Sequence, residues 1–327
     1  MKILVTGGSG FIGSRLVSEL LAKGHVVRIL DKIKSTKYPE ICQVGDVRDP
    51  DAVDSAVRNT DLVYHLAAEH RDDVRPISLY YDVNVEGTRT VAEACSANGV
   101  SRLVFTSSVA VYGLNAGSPS EDTPANPFND YGRSKLQGED VLRQWAAEHP
   151  ETSLTIVRPT VVFGEGNRGN VFNLVNQIVS GRFMMVGDGT NRKSMAYVGN
   201  VAAFLTFIGE SGLSGIRILN YVDKPDLSMN ELVGQVRTYL GTSPASPFTI
   251  PYRIGMAGGA CLDMLASLTG KSFPISRVRV AKFCADTTIS VDVLKTTGFS
   301  PPYSLEKGME LFLTHEFPGK ELALNRR

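Results

Sequence analysis

The stretch Lys2-Ile-Leu-Val-Thr-Gly-Gly-Ser-Gly-Phe-Ile-Gly13 joins a short apolar run to a glycine loop, and the amphipathic run Ser14 to Lys23 follows it. The apolar run predicts a buried parallel strand, and the amphipathic run predicts a helix. At such a turn the first glycine permits the tight bend, the second lets backbone approach a pyrophosphate, and the third lets the helix lie close to the sheet. The helix N-terminus offers free N–H groups to the phosphates. The stretch predicts a dinucleotide site at Gly7, Gly10, Phe11, Ile12 and Gly13; the alternative is a plain glycine-rich turn.

The second predicted strand, Val26 to Leu30, ends at Asp31. An acidic residue about 20 positions beyond the glycine loop is placed to accept hydrogen bonds from the adenosine ribose hydroxyls. Its charge would repel a 2′-phosphate, so NAD is favoured over NADP, although Lys32 and Lys34 weaken that preference. The alternative is that Asp31 only begins a turn.

Two further strand ends carry candidate cofactor contacts. Asp46 and Val47 follow the third strand, and Asp46 either meets the adenine amino group or caps the helix that begins at Pro50. The fourth strand, Asp61 to Leu66, opens into small residues that let the backbone pass close to a cofactor. The contacts expected there are Leu66, Ala67 and Ala68.

A candidate catalytic group follows the fifth strand, Arg102 to Thr106. Ser107 and Ser108 lie at its carboxyl end, where open parallel sheets bind ligands. Tyr131-Gly-Arg-Ser-Lys135 begins the next predicted helix, and positions i and i+4 share one helix face. A nearby Lys⁺ favours the ionised phenol, which makes Tyr131 a candidate general base. The alternative is an exposed tyrosine and lysine at a helix start.

A long helix is predicted over Ser78 to Asn98, with its valines and Ala92 facing inward. Asn84 lies within this helix. A polar amide near the core side is either a satisfied core asparagine or a group that links the helix to the active-site strand. The loop Glu69 to Asp73 either lines a sugar pocket or is a solvated loop.

The second half of the chain predicts a smaller domain that covers the substrate. Polar loops at 164–170 and 187–193 flank a predicted helix at 171–180, and a helix and strand at 200–222 return to the main sheet. Ser228 and Glu231 form a capping box that opens a helix to Leu240. We expect a Rossmann doubly wound parallel sheet in 1–165 plus about 195–225, and a mostly helical substrate-binding domain in about 166–194 and 226–327.

Composition excludes several classes of protein. The chain has 327 residues with 34 basic and 34 acidic side chains, so its net charge indicates neither a nucleic-acid nor a membrane partner. The N-terminus lacks a signal-peptide layout, which predicts a cytoplasmic protein. The apolar stretch 254–268 is too short to span a bilayer. No metal site is predicted, and Cys42, Cys95, Cys261 and Cys284 are expected to be ordinary buried thiols.

Several motifs occur together, and together they resemble the extended short-chain dehydrogenase/reductase family. The resemblance is specifically to its nucleotide-sugar epimerases, reductases and dehydratases. The second half is similar more loosely, through Tyr197-Val-Gly-Asn-Val201 and Leu294-Lys-Thr-Thr-Gly-Phe-Ser-Pro301. The first-half motifs are Thr6-Gly-Gly-Ser-Gly-Phe-Ile-Gly13 with Asp31, His65-Leu-Ala-Ala68 with Asn84, Thr106-Ser-Ser-Val-Ala-Val-Tyr-Gly113, Tyr131-Gly-Arg-Ser-Lys135 and Arg158-Pro-Thr160.

The resemblance implies a role for each matching residue. Ser108 takes the place of the catalytic Ser or Thr, Tyr131 that of the acid/base, and Lys135 that of the group that binds the nicotinamide ribose. The resemblance also places Asn170 where relatives contact a nucleoside diphosphate. Lys193 falls near an arginine that usually touches the pyrophosphate, but the following Ser-Met departs from the usual Asp-aromatic pair. The remaining cofactor contacts are Asn84, Ser107, Pro159 and Thr160.

The favoured function is an NAD-dependent nucleotide-sugar 4-epimerase, of the UDP-glucose/galactose or UDP-GlcNAc/GalNAc type, acting through a transient 4-keto intermediate. The first alternative is an NAD(P)H-dependent 4-ketoreductase of a UDP-4-keto-6-deoxy-hexose, and the second is a non-catalytic dinucleotide-binding protein. Val109 and Ala110 argue against a 4,6-dehydratase, which needs an acidic residue beside the Ser or Thr. The resemblance also implies a homodimer formed through the helices that hold Asn84 and Tyr131.

Overall fold

A parallel β-sheet forms the centre of the protein. The computed structural model describes residues 1–71, 74–114, 116–212, 214–244, 248–269 and 276–319, so Asp72 and Asp73 of the predicted loop Glu69 to Asp73 lie outside the described residues. The strands are β1 Lys2–Thr6, β2 Val26–Asp31, β3 Cys42–Val44, β4 Leu62–His65, β5 Arg102–Thr106, β6 Ser153–Pro159, β7 Val161–Phe163, β8 Met185–Val186, β9 Arg192–Tyr197, β10 Gly215–Tyr221, β11 Asp223–Ser228 and β12 Thr249–Ile250.

Seven of these strands make the main sheet in the order β10-β6-β5-β4-β1-β2-β3, and all their pairings are parallel. β7, β9 and β11 form a second sheet, and β8 pairs with β12. The helices are α1 Phe11–Ala22, α2 Pro50–Val57, α3 Ser78–Tyr81, α4 Gly87–Ala97, α5 Asp130–Glu148, α6 Asn170–Val179, α7 Val198–Glu210, α8 Met229–Tyr239, α9 Tyr252–Thr269, α10 Arg277–Cys284, α11 Asp292–Thr296 and α12 Leu305–Glu316.

Both faces of the main sheet are covered by helices. Successive side chains of a strand point to opposite faces, and β1 shows this directly. Ile3 and Val5 pack in a core with residues of α1 and α7, whereas Leu4 packs in another with residues of α2, α4 and α5. This arrangement confirms the predicted Rossmann doubly wound fold.

A third core lies outside the main sheet. It joins side chains from α6, α8 and α12 with Phe163, Met195 and Tyr197 of the small mixed sheet. The predicted capping box is present: Ser228 Oγ accepts from the Glu231 N–H, and the Glu231 carboxylate accepts from the Ser228 N–H. The division into two domains stays a prediction.

Three details of the structure differ from the prediction, two in secondary structure and one in the burial of the cysteines. The helix predicted over 78–98 contains a π-helical turn, Asp82–Glu86, between α3 and α4. Lys193, expected in a loop, lies in β9, because that edge pairs with β7 and β11. Cys261 is exposed and Cys284 half-buried, so only Cys42 and Cys95 are the buried thiols that were predicted.

Among the helices in the described ranges, none combines the length and apolar content that crossing a bilayer requires.

Candidate active site

The glycine loop joins β1 to α1, and its backbone packs tightly against neighbouring backbone. Gly7 has φ +70°, and a Cβ placed on it would lie 2.7 Å from the Ala67 nitrogen after β4. A Cβ on Gly13 would lie 2.2 Å from the Gly7 carbonyl oxygen, so α1 packs against the loop only because residue 13 lacks a side chain. A Cβ placed on Gly10, by contrast, would have one near neighbour, the Gly7 carbonyl oxygen at 3.2 Å. The backbone is thus open at the residue predicted to approach a pyrophosphate.

Asp31 ends β2 beside this loop. One carboxylate oxygen accepts from the Ser9 N–H at 3.0 Å and the other from the Ile33 N–H at 3.0 Å. The bond from Ile33 is the one expected if Asp31 only begins a turn. The bond from Ser9 also ties Asp31 to the glycine loop. A carboxylate has about four lone-pair sites, so two remain for ribose hydroxyls.

We expect wild-type protein to bind NAD⁺ more tightly than NADP⁺, because the Asp31 charge opposes a 2′-phosphate. Asp31→Asn keeps an oxygen acceptor at the same position and removes the charge. Titration calorimetry with both nucleotides should show a smaller NAD⁺ preference for Asp31→Asn. A control is Asp61→Asn, on a carboxylate that binds the Lys2 N–H at the start of β1. Tighter NADP⁺ binding by the wild type would overturn the role of Asp31.

Asp46 does not cap α2. Its carboxylate binds the Arg48 guanidinium at 3.0 and 2.7 Å, and this side-chain hydrogen bond holds the pKa of Asp46 below its usual value. The cap is Asp49, whose carboxylate accepts from the Asp51 and Ala52 N–H groups. Val47 is buried against Gly87 at the start of α4. The contact between Asp46 and adenine stays a prediction.

A buried chain of hydrogen bonds connects the ends of β1 and β4. The Ala67 N–H donates to Thr6 Oγ1 at 3.3 Å, and Thr6 Oγ1 is 2.7 Å from His65 Nδ1. His65 Nε2 lies 3.0 Å from Thr88 Oγ1, which itself donates to the Asn84 carbonyl at 2.8 Å. Since Thr88 donates its proton to Asn84, Nε2 donates to Thr88 Oγ1. Burial keeps the imidazole neutral, so Nδ1 then accepts from Thr6 Oγ1.

Burial, and secondly the charge of Lys135, lowers the pKa of His65 from 6.5 to about 3. Below pH 6.5 the unfolded chain binds a proton that the folded protein excludes, so stability decreases as pH falls towards 3. The slope from this group approaches about 1.4 kcal/mol per pH unit. Urea unfolding between pH 7 and pH 4 should show a shallower pH dependence for His65→Gln. The exposed His70→Gln is the control, and equal slopes for all three proteins would contradict this account.

Asn84 is a satisfied buried amide, 1% exposed, and it also links two parts of the site. Its oxygen accepts from the Glu69 N–H at 2.8 Å, and its amide donates to the Glu69 carbonyl at 2.9 Å and to Ser134 Oγ at 2.9 Å. Ser134 lies on α5 between Tyr131 and Lys135. Asn84 therefore joins the π-helical turn, the segment after β4 and the helix that carries the candidate acid/base. Glu69 itself is buried, which rules out a solvated position for it.

The candidate catalytic residues Ser108 and Tyr131 lie on two turns that pack against each other, where α5 meets the segment after β5. Ser108 ends the β5 segment and caps a 3₁₀ turn at Val109–Tyr112, accepting from the Ala110 N–H. A Cβ on Gly132 would lie 2.6 Å from the Ala110 carbonyl, so the first turn of α5, with Tyr131, packs directly on that 3₁₀ turn. One turn later Lys135 is 1% exposed, with Nζ 4.2 Å from the ring centroid of Phe105 in β5.

Burial lowers the pKa of Lys135 from 10.5 to about 7, and the charge of Glu139 on the next turn opposes that shift. The negative charge of Glu139 and the face of the Phe105 ring, which prefers a cation, both favour the charged form of the lysine.

Behind these residues lies a buried polar network that the motifs did not predict. Glu139 is fully buried, and Arg158 binds it through two hydrogen bonds at 2.8 and 2.6 Å. Ser107 Oγ donates to the same carboxylate at 2.5 Å. Arg158 also donates to Tyr112 Oη at 2.8 Å, and Tyr112 donates to Asn220 on β10 at 2.8 Å. Ser107 is therefore a bridge from the β5 end to this network.

Two buried hydroxyls at neighbouring strand ends remain unbonded. Thr106 Oγ1 ends β5 and Thr160 Oγ1 follows Pro159 at the end of β6; neither has a hydrogen-bond partner within the described ranges. Buried hydroxyls normally find a partner. The two hydroxyls lie at the edge where the nicotinamide end is predicted and could bond a polar group there, and the open backbone at Gly10 fits the pyrophosphate.

The two predicted diphosphate contacts lie outside the main sheet. Asn170 is exposed as the first residue of α6. Lys193 donates to the carbonyls of Lys282 and Ala285 at 3.0 and 2.5 Å, at the end of α10. Burial lowers the pKa of this lysine to about 8. Its role towards a pyrophosphate stays a prediction. Within the described ranges, no three His, Cys, Asp or Glu side chains come together as a metal site.

A doubly wound sheet with a glycine loop, an acidic β2 end and a Ser–Tyr–Lys group defines an extended short-chain dehydrogenase/reductase. The model of the NAD dependent epimerase/dehydratase family matches residues 3–220, and the chain belongs to that family. It is therefore an enzyme that uses NAD, and both predictions are confirmed.

Three similar proteins extend over nearly the whole chain. The N-acetyl-α-D-glucosaminyl-diphospho-ditrans,octacis-undecaprenol 4-epimerase of Escherichia coli O157:H7 is 53% identical over 317 residues, covering 97% of this chain and 95% of that protein. The UDP-glucose 4-epimerase of Vibrio cholerae is 29% identical, covering 94% and 93%. The structure of MoeE5 in complex with UDP-glucose and NAD has a TM-score of 0.76 at 27% identity, covering 96% and 98%.

Proposed function

We propose that this chain is an NAD-dependent 4-epimerase of an N-acetylhexosamine carried on a diphosphate. The observation that carries the proposal is the packing of the Tyr131 turn of α5 on the 3₁₀ turn that Ser108 caps, with Lys135 buried one turn further on. The identity of 53% to a 4-epimerase of such a substrate supports it and agrees with the reaction predicted from the motifs.

Each residue of this group has a defined task. NAD, when bound, supplies a nicotinamide that accepts a hydride and gives it back. Tyr131 takes the proton from the sugar 4-hydroxyl, and Ser108 donates a hydrogen bond to that oxygen as it becomes a ketone oxygen. Lys135, as a cation, favours the ionised phenol. After the 4-keto sugar turns over, Tyr131 returns the proton to the same oxygen on the opposite configuration, so no reductant is consumed.

The carrier of the sugar is the part of the proposal that rests on the relatives. The relative at 53% identity is named for a polyprenyl diphosphate, whereas the UDP-glucose 4-epimerase is only 29% identical. We therefore favour a polyprenyl-diphosphate-linked N-acetylhexosamine. The nucleotide sugar predicted from the motifs is the second candidate, and the likeness to the UDP-glucose complex of MoeE5 supports it.

The decisive experiment offers the purified protein both substrates with NAD⁺: N-acetylglucosaminyl-diphospho-undecaprenol in detergent, and UDP-N-acetylglucosamine in buffer. After acid release, chromatography of the sugars should show N-acetylgalactosamine from the lipid-linked substrate, with no accumulation of reduced nicotinamide. Product from UDP-N-acetylglucosamine alone would select the second candidate. Consumption of NAD(P)H on a 4-keto-6-deoxy substrate, without epimerisation, would establish the ketoreductase.

A further inference from the structure

Helix α9 lies on the surface of the protein although it is largely apolar. Between Tyr252 and Thr269, Gly259 is the one buried residue among those whose burial the structure describes. The helix contains a single acidic residue, Asp263, and a single basic one, Arg253. An exposed apolar helix of this length normally marks an interaction surface.

One face of α9 packs against the rest of the chain through small residues. A Cβ on Gly255 would lie 2.5 Å from Val186 in β8, and one on Gly259 would lie 2.7 Å from the Arg277 nitrogen at the start of α10. Asp263, on the next turn, accepts from that Arg277 N–H at 3.0 Å. The i, i+4 spacing of these residues defines the inward face.

The opposite face carries exposed uncharged side chains. Ile254 is 62%, Met264 60% and Leu265 43% exposed, and Ala257 and Cys261 lie between them on the same side. Phe248, just before the helix, is 67% exposed, and Val278 on α10 is 58% exposed. We call these seven residues, together with Arg253 and Arg277, the α9 surface.

The sequence that contains the α9 surface has many more basic than acidic residues. Between Phe248 and Cys284 the sequence has five basic residues and one acidic residue, a difference of +4, in a chain whose net charge is zero. The acidic residue, Asp263, already caps the start of α10. Apolar side chains next to unbalanced positive charge are the pattern of helices that lie in the headgroup region of anionic membranes. The basic residues are Arg253, Lys271, Arg277, Arg279 and Lys282; Lys271 lies outside the described residues, and Lys282 Nζ lies 4.6 Å from the ring centroid of Phe128.

We propose that the α9 surface rests on an anionic phospholipid bilayer, with α9 lying in the interface plane. The apolar side chains enter the boundary between headgroups and acyl chains, and the arginines bind lipid phosphates. No helix in the part of the chain that the structure describes is fit to cross the bilayer, so α9 would lie on it. This departs from the expectation of no membrane partner, which considered net charge and spanning length but not which side chains the fold exposes.

The α9 surface is joined to the candidate substrate site, and here the inference rests on the proposed polyprenyl-linked substrate. β12, just before α9, pairs with β8, and Lys193 of β9 donates to two carbonyls at the end of α10. A protein resting on α9 holds these strands next to the membrane. A diphosphate sugar whose polyprenyl chain stays in the bilayer then has a short path to the site.

The test is flotation of the full-length protein with vesicles that contain no substrate. We expect flotation with vesicles of phosphatidylglycerol and phosphatidylethanolamine, little with phosphatidylcholine, and a decrease in high salt. The triple variant Ile254→Gln/Met264→Gln/Leu265→Gln should lower the bound fraction at limiting lipid by about tenfold or more. The matched control is Val26→Gln/Ile216→Gln, which changes exposed apolar residues, 66% and 44% exposed, on the main sheet.

Failure to float with anionic vesicles, or equal flotation of the triple variant, overturns the inference. A sedimentation coefficient that falls in the triple variant, without flotation of the wild type, assigns the surface to a second copy of the chain instead. Activity separates the inference from the proposed function. The triple variant should keep its rate on lipid-linked substrate in detergent and lose it on substrate in vesicles. Flotation without any turnover of lipid-linked sugar would leave the inference standing and the favoured carrier wrong.

Discussion

Replacing Tyr131 by Phe is expected to lower turnover by about two to four orders of magnitude, the usual contribution of one general acid/base group. The ring of Tyr131 lies 6.3 Å from the ring of Tyr80, centroid to centroid, and phenylalanine keeps that contact. The substitution removes only the oxygen that exchanges the proton with the sugar. Product formation should therefore fall while NAD⁺ and substrate still bind, as calorimetry would show.

Tyr81→Phe is the matched control for this loss. Tyr81 Oη donates to Asp130 at 2.9 Å, so it bonds the residue next to Tyr131 without a part in the proposed chemistry. We expect its turnover to stay within a few-fold of the wild type, since a partly exposed hydrogen bond contributes about 1 kcal/mol. A fully active Tyr131→Phe would show that the mechanism is wrong, whichever sugar is the substrate.

The parts of the site that the sequence predicts well are those that depend on neighbours along the chain. The glycine loop, the Tyr–Lys pair and the Ser228 capping box are each contained in a dozen residues or fewer, and local geometry decides what they do. The position of Asp31 is also predictable, because Asp31 directly follows an apolar run that predicts a parallel strand. Parallel order follows from the alternation of apolar runs and amphipathic helices.

The parts that the sequence did not predict depend on contacts between distant segments. Glu139, Tyr112 and Asn220 each have an ordinary place in an apolar or amphipathic run, and only the folded chain brings them to Arg158. Asn220 comes by the register of β10 with β6, Glu139 from α5, and Tyr112 from the 3₁₀ turn after β5. The one local signal was that Glu139 lies four residues after Lys135, on the same helix face. The π-helical turn likewise holds Asn84, whose hydrogen-bond partners Glu69 and Ser134 come to it only in the folded chain.

The position of α9 is a further feature that depends on the fold. The length of the apolar stretch 254–268 excludes a spanning helix, but it does not predict which of its side chains are exposed. Two glycines determine which face of α9 packs inward. Gly255 and Gly259 let α9 lie flat on Val186 and α10, which leaves its larger apolar side chains outside.

Replacing Arg158 by Met is expected to destabilise the fold by about 3 kcal/mol or more, because it leaves the Glu139 carboxylate buried without its main partner. Both side chains are nearly inaccessible, 3% and 0% exposed. Burial opposes the charge of Arg158, but the hydrogen bonds that it donates to the Glu139 carboxylate prevail and raise the arginine pKa. Arg158 is therefore charged throughout the stable range. The free energy of unfolding in urea, measured near pH 7, would give the loss directly.

Two variants decide whether the loss comes from the unpaired carboxylate. Arg143 binds the same carboxylate at 3.0 Å but is 36% exposed, so Arg143→Met should cost about 1 kcal/mol or less. Glu139→Leu/Arg158→Met removes both charges and should recover much of the stability lost by Arg158→Met alone. The recovery is incomplete, since Ser107 and Tyr112 lose their partners. If the double variant is no more stable than Arg158→Met, packing and not the buried charge holds α5 to β6, and Ser107 is positioned by the backbone alone.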